Sequence, residues 1–157
     1  MRRGVRVGVD VGRARIGVSR SDPDGMLAIP VETVRRADDG SDLARIAGIV
    51  TELDAAEAIV GLPLSLSGAH TASTDDAVAF ASRLAEACGI PVRLVDERLS
   101  TVSAQSALHA SGRTTRNSRS VVDQAAATVI LQHALDAERS TGRPAGELVD
   151  PSIGRSS

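Results

Sequence analysis

Three acidic positions stand where a short chain could gather carboxylates. Asp10 lies in Val5-Arg6-Val7-Gly8-Val9-Asp10-Val11, an alternating stretch closed by Gly12. The alternation predicts a strand with its valines on one face, which leaves Asp10 on the other face with Arg6 and Gly8. A carboxylate at the end of a central strand is costly to bury unless a cation is near. The competing reading is an acid that serves the turn before Gly12. Asp96 and Glu97 follow Val92-Arg93-Leu94-Val95. They therefore sit at the carboxyl end of a predicted strand, where open α/β sheets bind ligands. A surface pair with Arg98, or an acid near the start of the next helix, would explain them equally well. Asp123 opens an apolar helix in Ser120-Val121-Val122-Asp123, a pattern that also reads as a capping box. Three such acids suit Mg²⁺ or Mn²⁺, which prefer oxygen ligands. Two ions about 3.5–4 Å apart would activate water and stabilise the leaving oxygen in phosphodiester cleavage. Spacing alone leaves open whether the three acids meet.

Other chemistries are excluded or poorly supported. The chain of 157 residues has one cysteine, Cys88, so it has no intramolecular disulfide and no cysteine metal cluster. All 18 basic residues are arginine. Lysine-based Schiff-base chemistry and a Walker lysine are therefore ruled out. His70, His109 and His133 are scattered without metal-ligand spacing. With one Phe and no Trp or Tyr, nucleic acid would have to be held by phosphates and shape, not by aromatic stacking. Net charge is −2, but it is unevenly spread. Arg2 to Arg20 holds six arginines and one acid, and Arg93 to Arg119 holds five arginines and two acids. A basic rim around a small acidic centre suits a polyanion that must approach metal ions. No apolar run is long enough to span a membrane, and no signal-peptide core opens the chain. A soluble cytoplasmic protein is expected.

The elements that must position these acids follow from periodicity. Strands are expected over Val5 to Val11, Arg15 to Arg20 and Leu27 to Val34, with Pro30 marking the third as an edge. Ser41 to Leu53 has helical spacing with Ser41 as N-cap. Glu57 to Gly61 reads as a buried strand and Ser65 to Ser73 as a polar loop. Thr74 to Cys88 is helical, ended by Gly89, and Pro91 to Asp96 is a strand. A helix from Ser100 to about Ala110, a loop over Ser111 to Ser118 and a long helix from Ser120 to about Arg139 complete the domain. The expected organisation is one domain over 1–139 and a Gly-, Pro- and Ser-rich disordered tail over 140–157.

Several of these stretches, taken in order, resemble the YqgF family. They are Val9-Asp10-Val11-Gly12, Arg15-Ile16-Gly17-Val18, Ser21-Asp22-Pro23, Val60-Gly61-Leu62-Pro63, Val95-Asp96-Glu97-Arg98-Leu99-Ser100-Thr101 and Val122-Asp123-Gln124-Ala125-Ala126. These are the Holliday-junction-resolvase-like proteins also described as pre-16S ribosomal RNA nucleases. The resemblance spans roughly residues 5 to 139. It implies an α/β ribonuclease-H-like fold whose five-stranded mixed sheet has its first three strands antiparallel. It further implies a cytoplasmic, metal-dependent nuclease acting on precursor ribosomal RNA, as a monomer or weak homodimer. The family's acids map onto Asp10, Glu97 and Asp123, with Asp96 a weaker candidate. On this reading Asp10 bridges two ions, and Glu97 and Asp123 hold one each. Arg13, Arg15 and Arg98 would contact phosphates or hold the acids in place. Arg113, Arg116 and Arg119 replace the lysines frequent in the family's basic loop. The loop Leu64-Ser65-Leu66-Ser67-Gly68 lacks the polar Asn often found there. Three alternatives remain: a resolvase of branched DNA, a non-catalytic ribosome-assembly factor, and an actin-like ATP-binding domain, for which the chain is short.

Overall fold

A computed structural model describes residues 3–98 and 118–149, with side chains in the last segment from Asp123 onward. The expected helix over 100–110 and the basic loop that follows it, with Arg113 and Arg116, lie outside the described residues. Strands β1 (Arg6–Val11), β2 (Arg15–Ser21) and β3 (Ala28–Arg35) form an antiparallel meander. Helix α1 (Ser41–Glu52), strand β4 (Glu57–Leu62), helix α2 (Ala72–Cys88) and strand β5 (Val92–Asp96) follow. Helix α3 (Ser118–Thr141) and a two-residue strand β6 (Glu147–Leu148) complete the described chain. The sheet order is β3-β2-β1-β4-β5-β6. β1, β4 and β5 are parallel, and β6 runs antiparallel to β5.

The valine alternation does what it predicts. Val7, Val9 and Val11 bury one face of β1 against Ile46, Ile49 and Val50 of α1 and Phe80, Ala81 and Leu84 of α2. The opposite face takes α3, whose Ile130, Leu131, Ala134 and Leu135 pack with Ile59 and Ala28. With both faces covered, the central strand offers the site only its end. Pro30 lies on the edge strand β3, opposite a register irregularity between Val18 and Ser19, where a missing donor costs least.

Four expectations are corrected. The sheet has six strands, not five, because the chain returns after α3 to pair Glu147 and Leu148 with β5. Residues 140–149, placed in a disordered tail by composition, include the end of α3 and this strand. The backbone cap of α1 is Gly40, at φ 84° and without a side-chain cap bond, not Ser41. Helix α2 starts earlier than expected, because Thr71 and Thr74 form a reciprocal capping box that satisfies otherwise orphaned N–H groups.

Candidate active site

The parallel strands bring their carboxyl ends to one edge of the sheet. Asp10 is the fifth residue of β1. The register Val9↔Val60 sets it alongside Gly61 of β4. Leu62 pairs with Asp96, and the Glu97 N–H continues the ladder to the Leu62 carbonyl at 3.1 Å. The Glu97 side chain then folds back over β4. A Cβ on Gly61 would lie 2.8 Å from Glu97 Oε2 and 2.7 Å from Ile130 Cδ1, so the glycine makes room for the carboxylate.

Asp123 arrives from the other layer. Its backbone lies directly on β2: a Cβ on Gly17 would fall 1.9 Å from the Asp123 carbonyl oxygen. Gly17 is the cross-strand partner of Asp10. The same glycine therefore lets α3 descend and sets Asp123 over Asp10. Gly8 repeats the device further down, where a Cβ would meet Leu131 Cβ at 2.8 Å. Because α3 begins at Ser118, Asp123 lies deeper in the helix than a capping box from Ser120 requires. Its carboxylate instead accepts a hydrogen bond from Arg15 Nε at 2.8 Å.

The electrostatics register this crowding. Burial foremost, then the charges of Glu97 and Asp123, pushes the Asp10 carboxyl up to about 7, and a hydrogen bond to Glu97 holds its proton. Glu97 is also raised, by burial first and by the charge of Asp96, against the lowering effect of its bond with Asp10. Asp10 and Glu97 thus share a proton in the absence of a cation. Among the described residues, no three His, Cys, Asp or Glu side chains already form a metal cage.

The remaining candidates separate. Asp96 is taken up by Arg98, whose Nε and Nη2 reach its carboxylate at 3.1 and 2.6 Å, and this bonding lowers the Asp96 pKa. The same guanidinium lies 3.4 Å from the Leu66 carbonyl, so Arg98 ties the loop after β4 to the end of β5. Arg15 holds Asp123. Arg13 is exposed at the β1–β2 turn. Arg119 falls in the first turn of α3, and its side chain lies outside the described ones. Gly17 and Gly61 escaped the residue-level reading. Their signal is a glycine inside a strand, which marks close approach of another group.

Comparison with known proteins agrees with this architecture. A family model described as "RuvX: Holliday junction resolvase" matches residues 4–137. A protein of Clavibacter michiganensis subsp. michiganensis named "Putative pre-16S rRNA nuclease" is 64% identical over 123 residues, 78% of this chain and 76% of that protein. A protein of Leifsonia xyli subsp. xyli with the same name is 67% identical over 122 residues, covering 78% and 79%. Among solved structures, T. thermophilus RuvC in complex with a Holliday junction substrate superposes with a TM-score of 0.58 at 19% identity, covering 90% of this chain and 99% of that one. The α/β fold, with its mixed sheet between helices, is ribonuclease-H-like, and the chain belongs to the RuvX family.

Proposed function

We propose that this chain is a divalent-metal-dependent nuclease that hydrolyses phosphodiester bonds, with Asp10, Glu97 and Asp123 as the metal-holding carboxylates. The observation that carries the reading is their convergence. Asp10 at a strand end feels the charges of Glu97, the residue after a second strand, and of Asp123 from α3, and burial with these charges pushes its carboxyl up to about 7. The donor set is all carboxylate, which fits Mg²⁺ or Mn²⁺ and not a soft metal. Mg²⁺ or Mn²⁺ bound there would supply Lewis acidity toward a phosphate oxygen and lower the pKa of water. Asp10, on which the charges of both other acids act, would be one of the ligands. Arg15 would keep the Asp123 carboxylate in place, and Arg98 would steady Glu97 through Asp96 and the loop after β4.

The names of these relatives favour precursor 16S ribosomal RNA as substrate, and such a substrate would place the protein in the cytoplasm. Among the described residues no helix is long and apolar enough to cross a membrane. A second reading, cleavage of branched DNA, is supported by the family description and by the likeness to RuvC. It would require two copies of this chain to cut a symmetric junction. The deciding experiment offers precursor ribosomal RNA and a four-way DNA junction to the purified chain with Mn²⁺. Asp10→Asn serves as control. Cleavage of one substrate, lost in Asp10→Asn, selects between the readings. Equal cleavage by Asp10→Asn would remove the carboxylate site.

A further inference from the structure

The face of the sheet that carries Asp10 changes sign across its strands. Arg35, at the end of β3, pairs in register with Arg15 of β2. Opposed residues of an antiparallel pair point to the same face, and Arg15 faces α3 through Asp123. Thr33, two residues before Arg35, receives a hydrogen bond from Gln124 of α3, which fixes that face independently. Reading the sheet from edge to centre, the row of Asp10 is Thr33, Gly17, Asp10 and Gly61, and Arg35 and Arg15 stand two residues further toward the site end, level with Gly12. Two arginines therefore stand one step beyond the acids, at the same end of the sheet.

Like charges directly opposite one another on a sheet cost stability. Arg15 is compensated by Asp123. Arg35 is exposed, and no carboxylate among the described residues pairs with it. The stretch 99–117, outside the described residues, contains no acid. Its neighbour Arg36 is the opposite case: it donates to Gly12 O at 2.9 Å, to Asp76 at 2.7 Å and to Asp42 at 3.3 Å. Arg36 thereby pins the β1–β2 turn, on which Arg13 stands exposed. The polar depression of about 420 Å³ beside that turn is lined by Arg13 as well as by Asp38, Asp76 and the saturated Arg36, so its carboxylates oppose an anion inside it. Among the described residues at this edge of the sheet, the open cationic groups are Arg35 and Arg13.

We infer that Arg35 is a phosphate-binding residue. With Arg13 and Arg15 it forms a track that leads a nucleic-acid backbone from the β3 edge to the carboxylates. Two interstrand steps of about 4.8 Å separate β3 from β1. Arg35 also lies two residues, about 6.8 Å, beyond the Asp10 row, so a chain with one phosphate at Asp10 brings a phosphate further along toward the Arg35 guanidinium, whose planar fork suits that ligand. The inference rests on the nuclease reading above for the direction of the track.

The test measures binding without cleavage, by fluorescence anisotropy in EDTA. The probes are a labelled single-stranded RNA and a labelled four-way DNA junction. The variants are Arg35→Ala, Arg35→Glu and, as a control of equal charge loss, Arg143→Ala, an exposed arginine beyond the far end of α3. Arg35→Ala should weaken binding roughly fivefold and flatten the plot of log affinity against log salt by about 0.7 for the RNA or 0.9 for the duplex arms. Arg35→Glu should weaken it further, and Arg143→Ala should do neither. Neither change at Arg35 should lower Tm, because a like-charge pair is relieved. If the unaltered chain binds and Arg35→Ala behaves like Arg143→Ala, the track is wrong and the nuclease reading stands. If the unaltered chain binds neither probe at low salt, both fall. A fall in Tm for Arg35→Ala would make Arg35 structural and overturn the inference.

Discussion

At pH 8 the Asp10 carboxyl is ionised against its surroundings, being partly buried beside Glu97 and facing the charge of Asp123. The unfolded chain loses that proton near pH 4, whereas the folded one keeps it to about 7. Between these values the folded state binds more protons, so stability falls as pH rises through the window and the penalty is complete above it. Asp76 and Asp96 act in the opposite sense, since their arginine partners lower them. Their stabilisation is lost only as pH falls below about 4, outside this window. Thermal denaturation in EDTA should therefore show the chain less stable at pH 8 than at pH 5, and Asp10→Asn should flatten the decline. An equally steep decline in Asp10→Asn would acquit Asp10. If the proposed site holds a divalent ion, that ion displaces the shared proton. Mn²⁺ should then raise Tm more at pH 8 than at pH 5, and should do so less in Asp10→Asn.

The geometry of the acids depends on how closely α3 can lie on β2, and Gly17 sets that distance. Gly17→Ala places a methyl group where the Asp123 carbonyl stands, so the helix start must lift. Overpacking of this kind costs about 1–3 kcal/mol. On the proposed reading it should cut cleavage by about 10- to 100-fold, the scale of disturbed metal support. Gly48 in α1 is the control, with nothing within 4 Å of a built Cβ. Gly48→Ala should stabilise by about 0.4–1 kcal/mol and leave cleavage unchanged. Urea denaturation with a cleavage assay reads both, and full activity in Gly17→Ala would detach the helix start from the site. This element also marks where sequence reading stops. Alternating valines made β1 legible, and with it the face of Asp10, because burial of one strand face writes itself into period two. Asp96 and Glu97 could not be told apart, since the answer lies in the partner Arg98 chooses. Gly17 and Gly61 were silent because a glycine says that something comes close without saying what. β6 was missed because two residues carry no period. The family resemblance, not spacing, joined the three acids beforehand.

The two ends of the α3 face of the sheet are built on opposite electrostatic plans. At the end away from the site, Arg6 pairs with Glu138 at 3.1 Å and Arg93 with Glu57 at 3.1 Å. Arg6 and Glu57 are themselves register partners. Charges alternate there, and Arg6 and Glu138 are 2% and 5% exposed, so the pair binds the C-terminal half of α3 to the first strand. At the other end the acids face one another and the nearest arginines are partly uncompensated. A charge set that only held the fold would resemble the first end. Removing one member of a buried ion pair costs about 3–5 kcal/mol, while replacing both by apolar groups is often neutral. Arg6→Met should therefore lower stability by about 3 kcal/mol or more, and Arg6→Met with Glu138→Leu should recover most of it. Both variants should cut substrate at the normal rate per folded molecule, since the helix start is held by Gly17 and Arg15 instead. Urea midpoints and cleavage rates at a temperature where all variants are folded measure the two effects. A double variant as unstable as the single one would show that the pair is not the tie. A loss of rate in fully folded Arg6→Met would show that the far end of α3 governs the carboxylates after all.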